Sequence, residues 1–258
     1  GNWDRDSNGR LRWRMQINAA GAPHINLGFE HCTLPDGAEV TIEGMQWQSF
    51  VGPFTSADVA EGELWTPPVH DDRILVTITC NDEDQLFLQQ EVAITKVNVG
   101  YRGFELLGAR GSSESCNVDV ACPEADEWRN EIPSVGVYTL NGFLTCSGAM
   151  INNTDQDETP YFLTADHCGI STGNDQSMVV IWNYENSYCR VPGSNDSGGN
   201  GNGSTNQYTT GALYLTGSSQ TDFTLVRLNS SPPDSYEISF SGWSRSAGTP
   251  TIGAGIHH

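Results

Sequence analysis

Hydrophobic and polar positions alternate along most of the chain with the period of two that marks extended strands. Val40 and Ile42 share one face of 39–43, and Ile74, Val76 and Ile78 share one face of 74–79. Further strands are predicted over 11–17, 25–29, 63–69 and 86–99. Turn signals separate them: Pro35-Asp36-Gly37, Gly52-Pro53 and Asn81-Asp82. No stretch carries a capped helical period, so residues 1–108 are expected to form one antiparallel β-sandwich. Its only two cysteines, Cys32 and Cys80, are expected to pair.

Residues 109–115 break the pattern. They are small, polar and Gly-rich, with Arg110 followed by Gly111. Two readings stand side by side: a plain interdomain linker, or a linker that offers Arg110-Gly111 to a protease as a maturation site. From Cys116 the strand pattern resumes and fills 116–258. Strands over 135–138 and 143–146 flank Asn141-Gly142, the strongest short hairpin signal. Others are predicted over 162–164, 178–182, 212–215 and 223–228. Residues 192–206 form a Gly/Asn/Ser loop with nothing to bury. The whole chain therefore reads as all-β.

Charge and cysteine content narrow the partners and the compartment. The 258 residues carry 32 acidic and 12 basic side chains, a net charge of −20. A surface that negative repels nucleic acid and anionic lipid, which removes both from the expected partners. No apolar run approaches the roughly 20 residues of a membrane-crossing helix. Seven cysteines in a chain rich in Gly, Asn, Ser and Thr predict disulfides and an exported protein whose leader has been removed. There is no C-x-x-C and no His at ligand spacing from a Cys pair, which argues against zinc. The Gly/Asn loop lacks a calcium-ligand spacing. No cofactor or metal is expected.

One run carries chemistry: Phe162-Leu163-Thr164-Ala165-Asp166-His167-Cys168-Gly169, a strand leading into a His beside a Cys. A second follows in Thr221-Asp222-Phe223-Thr224-Leu225-Val226-Arg227-Leu228, an Asp just before an alternating strand. A neutral imidazole can take the proton of a Ser hydroxyl, and a carboxylate on its other nitrogen fixes its tautomer. With these motifs the sequence resembles the chymotrypsin-fold serine proteases, in which T-A-x-H-C and D-(F/I)-x-L-(L/V)-x-L carry that base and that carboxylate. The likeness extends to the bacterial lysyl endopeptidase branch. It rests also on Gly111-Ser-Ser-Glu-Ser-Cys116, Cys122-Pro-Glu, Asn152-Asn153-Thr154, Trp182-Asn183-Tyr184, Cys189-Arg190, Gly242-Trp243 and Ile256-His257-His258. The first 110 residues resemble, more weakly, the pro-regions that precede such proteases.

The resemblance implies a first chymotrypsin-type barrel and the start of a second within 116–258. It implies His167 as general base and Asp222 as its orienting carboxylate. It also implies disulfides Cys122–Cys189 and Cys146–Cys168, with Cys116 left unpaired because its partner would lie further on. The nucleophile motif of the family, G-(D/S)-S-G-(G/S), would lie past His258, so the chain alone is expected to be inactive. Asn195-Asp196-Ser197-Gly198-Gly199 mimics that motif but precedes Asp222, the wrong order for this fold, and sits in the Gly/Asn loop. Asp166 departs from the residue usual at its position and is expected to point away from the ring.

The expected activity is that of an exported serine endopeptidase precursor. It would cut protein or peptide substrates after Lys and/or Arg, with 1–108 as pro-region and the missing C-terminal part as partner. The pro-region is expected to assist folding and to cover the substrate cleft. The competing reading is a catalytically inactive, protease-like binding or structural module. Sequons at Asn152, Asn195, Asn202 and Asn229 mark acceptor sites for glycosylation.

Overall fold

A computed structural model of the chain describes residues 2–100, 115–197, 201–246, 248 and 251–258. Arg110 and Gly111 lie outside the described residues. The N-terminal part contains β1 (Trp3–Arg5), β2 (Leu11–Asn18), β3 (Ile25–Phe29), β4 (His31–Cys32), β5 (Glu39–Gly44), β6 (Phe50–Phe54), β7 (Leu64–Trp65), β8 (Arg73–Cys80), helix α1 (Gln85–Glu91), β9 (Val92–Ala93) and β10 (Lys96–Val99). A five-stranded sheet in the order β1-β2-β8-β5-β6 stacks with a three-stranded sheet, β10-β3-β7, and a β4–β9 ribbon completes the unit. The alternation on β8 is realised in full: Ile74, Val76, Ile78 and Cys80 are buried and the residues between them are not. They meet Val40 and Ile42 from β5 and Ile25, Leu27 and Phe29 from β3 in one core.

Three expectations for this unit are corrected. The strand predicted over 86–99 is interrupted by α1, built of good helix formers, Gln, Leu and Glu. It follows the acidic turn Asp82–Asp84, whose charge favours a helix N-terminus. Only Leu88 is buried, so seven residues carry no legible period. The strand over 63–69 shrinks to Leu64–Trp65 plus a bridge from Val69 to Ile25, because Pro67 and Pro68 cannot donate to a ladder. Cys32 and Cys80 are not bonded to each other. They sit in different sheets, and each is buried in the sandwich core as a small apolar side chain. Burial pushes the Cys32 thiol up to about 12 and also raises Cys80.

The C-terminal part contains β11 (Val135–Leu140), β12 (Phe143–Met150), β13 (Tyr161–Thr164), β14 (Val179–Trp182), β15 (Tyr208–Thr210), β16 (Ala212–Ser218) and β17 (Phe223–Leu228). All pairings are antiparallel, in the order β15-β14-β11-β12-β13-β17-β16. This sheet curls into a barrel wall whose centre is aromatic. Phe162 meets Tyr138 edge-on at 6.0 Å and Trp182 edge-on at 5.8 Å. The predicted hairpin is present, with Asn141 and Gly142 both at positive φ, 52° and 80°. After β17 the chain runs along this barrel. Ile238 and Phe240 pack on its core, and Ser241 bridges to Ile151.

Two disulfides close, Cys122–Cys189 and Cys146–Cys168, and Cys116 is an exposed thiol. Beside the first lies an ion pair that the sequence did not announce. Arg190 donates from its backbone N and Nε to Asp119 Oδ2, both at 2.9 Å, and from Nη2 to Oδ1 at 2.7 Å. The side chains are only 9% and 13% exposed, so solvent screens the pair little. Arg190 holds the Asp119 carboxyl below its ordinary 3.8.

Asp119→Asn is therefore expected to destabilise the protein by about 3 kcal/mol at neutral pH, read as a fall in the denaturant midpoint. The stabilisation is present above the ordinary carboxylate pKa and is lost as pH falls through the depressed folded value. Parent and variant midpoints are thus expected to converge only below about pH 3.8.

Candidate active site

The site is built where β13 ends and β17 begins. β13 and β17 pair in register, Thr164 opposite Thr224, so the segment after β13 and the residue before β17 fall on the same rim of the barrel. After Thr164 the chain tightens into a 3-10 turn, Asp166–Cys168, and ends at Gly169 with φ 82°, a left-handed conformation that suits glycine. Cys168 is tied to Cys146 on β12. Beneath the turn Thr164 is buried; its hydroxyl donates to the Ser147 carbonyl at 2.8 Å and meets the Tyr138 hydroxyl at 3.1 Å. The turn is thus held by a covalent link and by a buried hydroxyl pair.

Asp222 stands opposite, in the tight connection between β16 and β17, at φ 51°. Asp is among the few residues that tolerate this left-handed conformation. Its carboxylate receives the His167 backbone N–H at Oδ1 (3.0 Å) and faces His167 Nδ1 from Oδ2 (2.8 Å). The Asp166 backbone N–H points to the same group. These donors hold the Asp222 carboxyl below its ordinary 3.8, the His167 backbone bond most of all. An ionised carboxylate only accepts, so Nδ1 carries a proton, and in the neutral form of the ring Nε2 is the nitrogen with the lone pair. The side chains of His167 and Asp222 are 71% and 52% exposed. An imidazole held in this tautomer, with its basic nitrogen open, is equipped to accept a proton from a hydroxyl.

The two residues singled out from the motifs are therefore in contact. Asp166 takes part through its backbone. Ser197 lies elsewhere in the bonding pattern: its hydroxyl donates to the Ser115 carbonyl at 2.7 Å, which fastens the Gly/Asn loop to the start of the C-terminal part. Among the described residues no Ser hydroxyl is hydrogen-bonded to His167. Sequence reasoning missed the Thr164–Tyr138 pair, because a Tyr in an all-buried strand gives no sign of where its hydroxyl goes. Cys146, His167 and Cys168 are the one His/Cys/Asp/Glu group of metal-binding proximity among the described residues. The two sulfurs are spent in a disulfide, which leaves a single ligand and no metal site.

The family model described as "Lysyl endopeptidase, C-terminal domain" matches residues 110–258, more than half of the chain. A lysyl endopeptidase of Pseudomonas aeruginosa is 26% identical across 99% of this chain. The chain spans 57% of that relative's length. On the family match, and with the paired imidazole and carboxylate lying inside the matched residues, the chain belongs to the lysyl endopeptidase family.

Proposed function

We propose that this chain is the pro-region and first barrel of an exported serine endopeptidase that cleaves peptide bonds after Lys and/or Arg. The single observation that carries the reading is the 2.8 Å bond between His167 Nδ1 and Asp222 Oδ2, with Nε2 left open. In this reading His167 is the general base. It takes the proton of a Ser hydroxyl as that oxygen attacks the scissile carbonyl, then delivers the proton to the leaving amine. Asp222 keeps the ring in the productive tautomer and stabilises the imidazolium that forms in between. The nucleophilic Ser, its oxyanion donors and the pocket for the residue before the cut belong to sequence outside these 258 residues. Residues 1–108 act as pro-region, and a cut between Arg110 and Gly111 matures the enzyme outside the cell. The substrate is protein or peptide, and no cofactor is required.

Sequencing the coding region past His258 tests the reading directly. A G-x-S-G motif and a further Cys to partner Cys116 are expected; a stop codon at that point favours the inactive module and overturns the protease. In the protein carrying that continuation, His167→Ala and Asp222→Asn are each expected to lower kcat by about 10⁴-fold on Lys- and Arg-containing peptides. Fold, read by circular dichroism, should be unchanged, and a loss below tenfold for either variant contradicts its role. In this chain itself, Asp222→Asn is expected to shift the His167 tautomer. Nitrogen-15 NMR should show a predominantly Nδ1-protonated ring in the parent and a mixture of both tautomers in the variant.

A further inference from the structure

We propose that the Lys96–Val97 bond in β10 is a gated cleavage site, at which a lysine-cutting enzyme of this family, acting from a second copy, takes the N-terminal sandwich apart. The inference rests on the proposed protease reading only in naming that enzyme. The site itself stands on the sequence and on its place in the sheet.

The 258 residues hold a single Lys, Lys96, and residues 110–258, the part that matches the lysyl endopeptidase model, hold none. Within this chain, an endopeptidase that cuts after Lys finds one bond, and that bond lies in the sandwich. Lys96 opens β10, a four-residue strand at the edge of the sheet β10-β3-β7. Its side chain is 50% exposed. Its ion pair with Glu30, 3.5 Å from Nζ to Oε1, is a surface pair that competes weakly with a binding pocket. Val97 and Val99 are exposed too. An edge strand offers extended backbone with one row of N–H and C=O groups open to another chain.

Pairing and docking keep the same bond shut. Lys96, Val97, Asn98 and Val99 pair in register with Gly28, Leu27, Asn26 and Ile25 of β3. Both flanks are tied. Thr95 N donates to the Gly28 carbonyl, Glu30 N to Thr95 Oγ1 and Gly100 N to the His24 carbonyl, each at 2.9 Å. On the face turned from the sandwich core, Asn98 lies so close to the barrel that a Cβ on Gly142 would overlap its Nδ2. Asn26, its buried neighbour on β3, donates from Nδ2 to the Gly142 carbonyl at 3.0 Å. Tyr208 of β15 packs against the sandwich core and the barrel wall, and its hydroxyl accepts the Gly52 N–H at 3.1 Å. A peptide bond in a paired strand enters a protease cleft only after the strand peels away, so cutting follows the population of the open form. Docking on the barrel lowers that population, and release from the barrel raises it.

Hydrolysis adds one water across the bond and leaves a carboxylate on Lys96 and an amino group on Val97. The sandwich then keeps one residue of β10. Ile25 and Leu27, both in its core, lose the backbone partners that Val99 and Val97 supplied. The two new charges oppose re-pairing beside an apolar core. A closed sandwich therefore resists, and an opened one is dismantled in a single irreversible step.

The test uses this 258-residue chain, a trace of added lysine-specific endoprotease, and a free peptide of residues 90–100 as the ungated reference, with fragments read by mass spectrometry. The native chain is expected to be cut at Lys96–Val97 alone, more slowly than the peptide by about tenfold or more. Thr95→Val, which removes the bond to Glu30 N, and Asn26→Ala, which loosens the barrel contact, are each expected to speed cutting about threefold or more relative to their own peptides. After complete cutting, hydrogen exchange over 25–29 is expected to rise about tenfold or more. A parent chain cut as fast as the peptide overturns the gate, and so does an unchanged rate in both variants. A chain left uncut in parent and variants while the peptide is consumed overturns the site. Unchanged exchange over 25–29 after complete cutting overturns the dismantling. Should one variant fail to fold, the other carries the rate comparison. The added protease supplies the hydrolysis, so an inactive full-length enzyme would defeat the protease reading and leave this result standing.

Discussion

A carboxylate in a left-handed turn organises the barrel rim that carries His167. Asp222 gathers the backbone N–H groups of Asp166 and His167 and the ring N–H of His167 onto one charged group. Each of these bonds favours the ionised form, and the ionised form is what makes the ring bond one-directional. The His167 ring and backbone N–H are thereby held by one and the same carboxylate. Such preorganisation matters at an exposed site, because a solvated histidine would otherwise sample both tautomers and many rotamers. The other devices serve this contact. The Cys146–Cys168 bond prevents the 3-10 turn from sliding along β12, and the buried Thr164 hydroxyl fixes the strand that feeds it.

The rest of the barrel can be understood as two rims joined by short strands. One rim holds the paired imidazole and carboxylate. The other lies where β13 starts and β17 finishes, with Asn229 bonded to Gln176 and Leu228 to Pro160. Packing between the rims is aromatic and apolar, Tyr138 against Phe162 against Trp182, and such cores transmit position well because they are close-packed.

Much of this was legible from the chain. The period-two pattern identified β2, β3, β5, β8, β14 and β17 because each turns alternating or continuous apolar residues toward a core, with those of β2 only half-buried. The Asn141-Gly142 hairpin was legible because its conformation demands those residue types. His167 and Asp222 were legible only as a pair of ordered motifs; either alone is a common residue at a strand end. What failed did so for physical reasons. Helix α1 is one short amphipathic piece whose single buried Leu88 leaves no period. Cys32 and Cys80 were paired by elimination, which ignores that a buried thiol is content as a small apolar side chain. The Tyr208 contact and the Asp119–Arg190 pair join residues 156 and 71 positions apart, and no local pattern encodes that.

The anchoring of the segment that follows the linker ties these parts together. Gly193 N and the Ser197 hydroxyl both donate to the Ser115 carbonyl, at 2.7 Å each, and Cys122–Cys189 with Asp119–Arg190 fastens the same arm a few residues later. The C-terminal part is therefore held at its own beginning by bonds that owe nothing to residues 1–100. The sandwich is held by different bonds, to Gly142, Thr205 and Tyr208. Cutting the chain between Arg110 and Gly111, as proposed, would break neither set. Covalent continuity through the linker is then redundant for both attachments, which is the condition a maturation cut must meet if the barrel is to keep its shape when the peptide bond is lost.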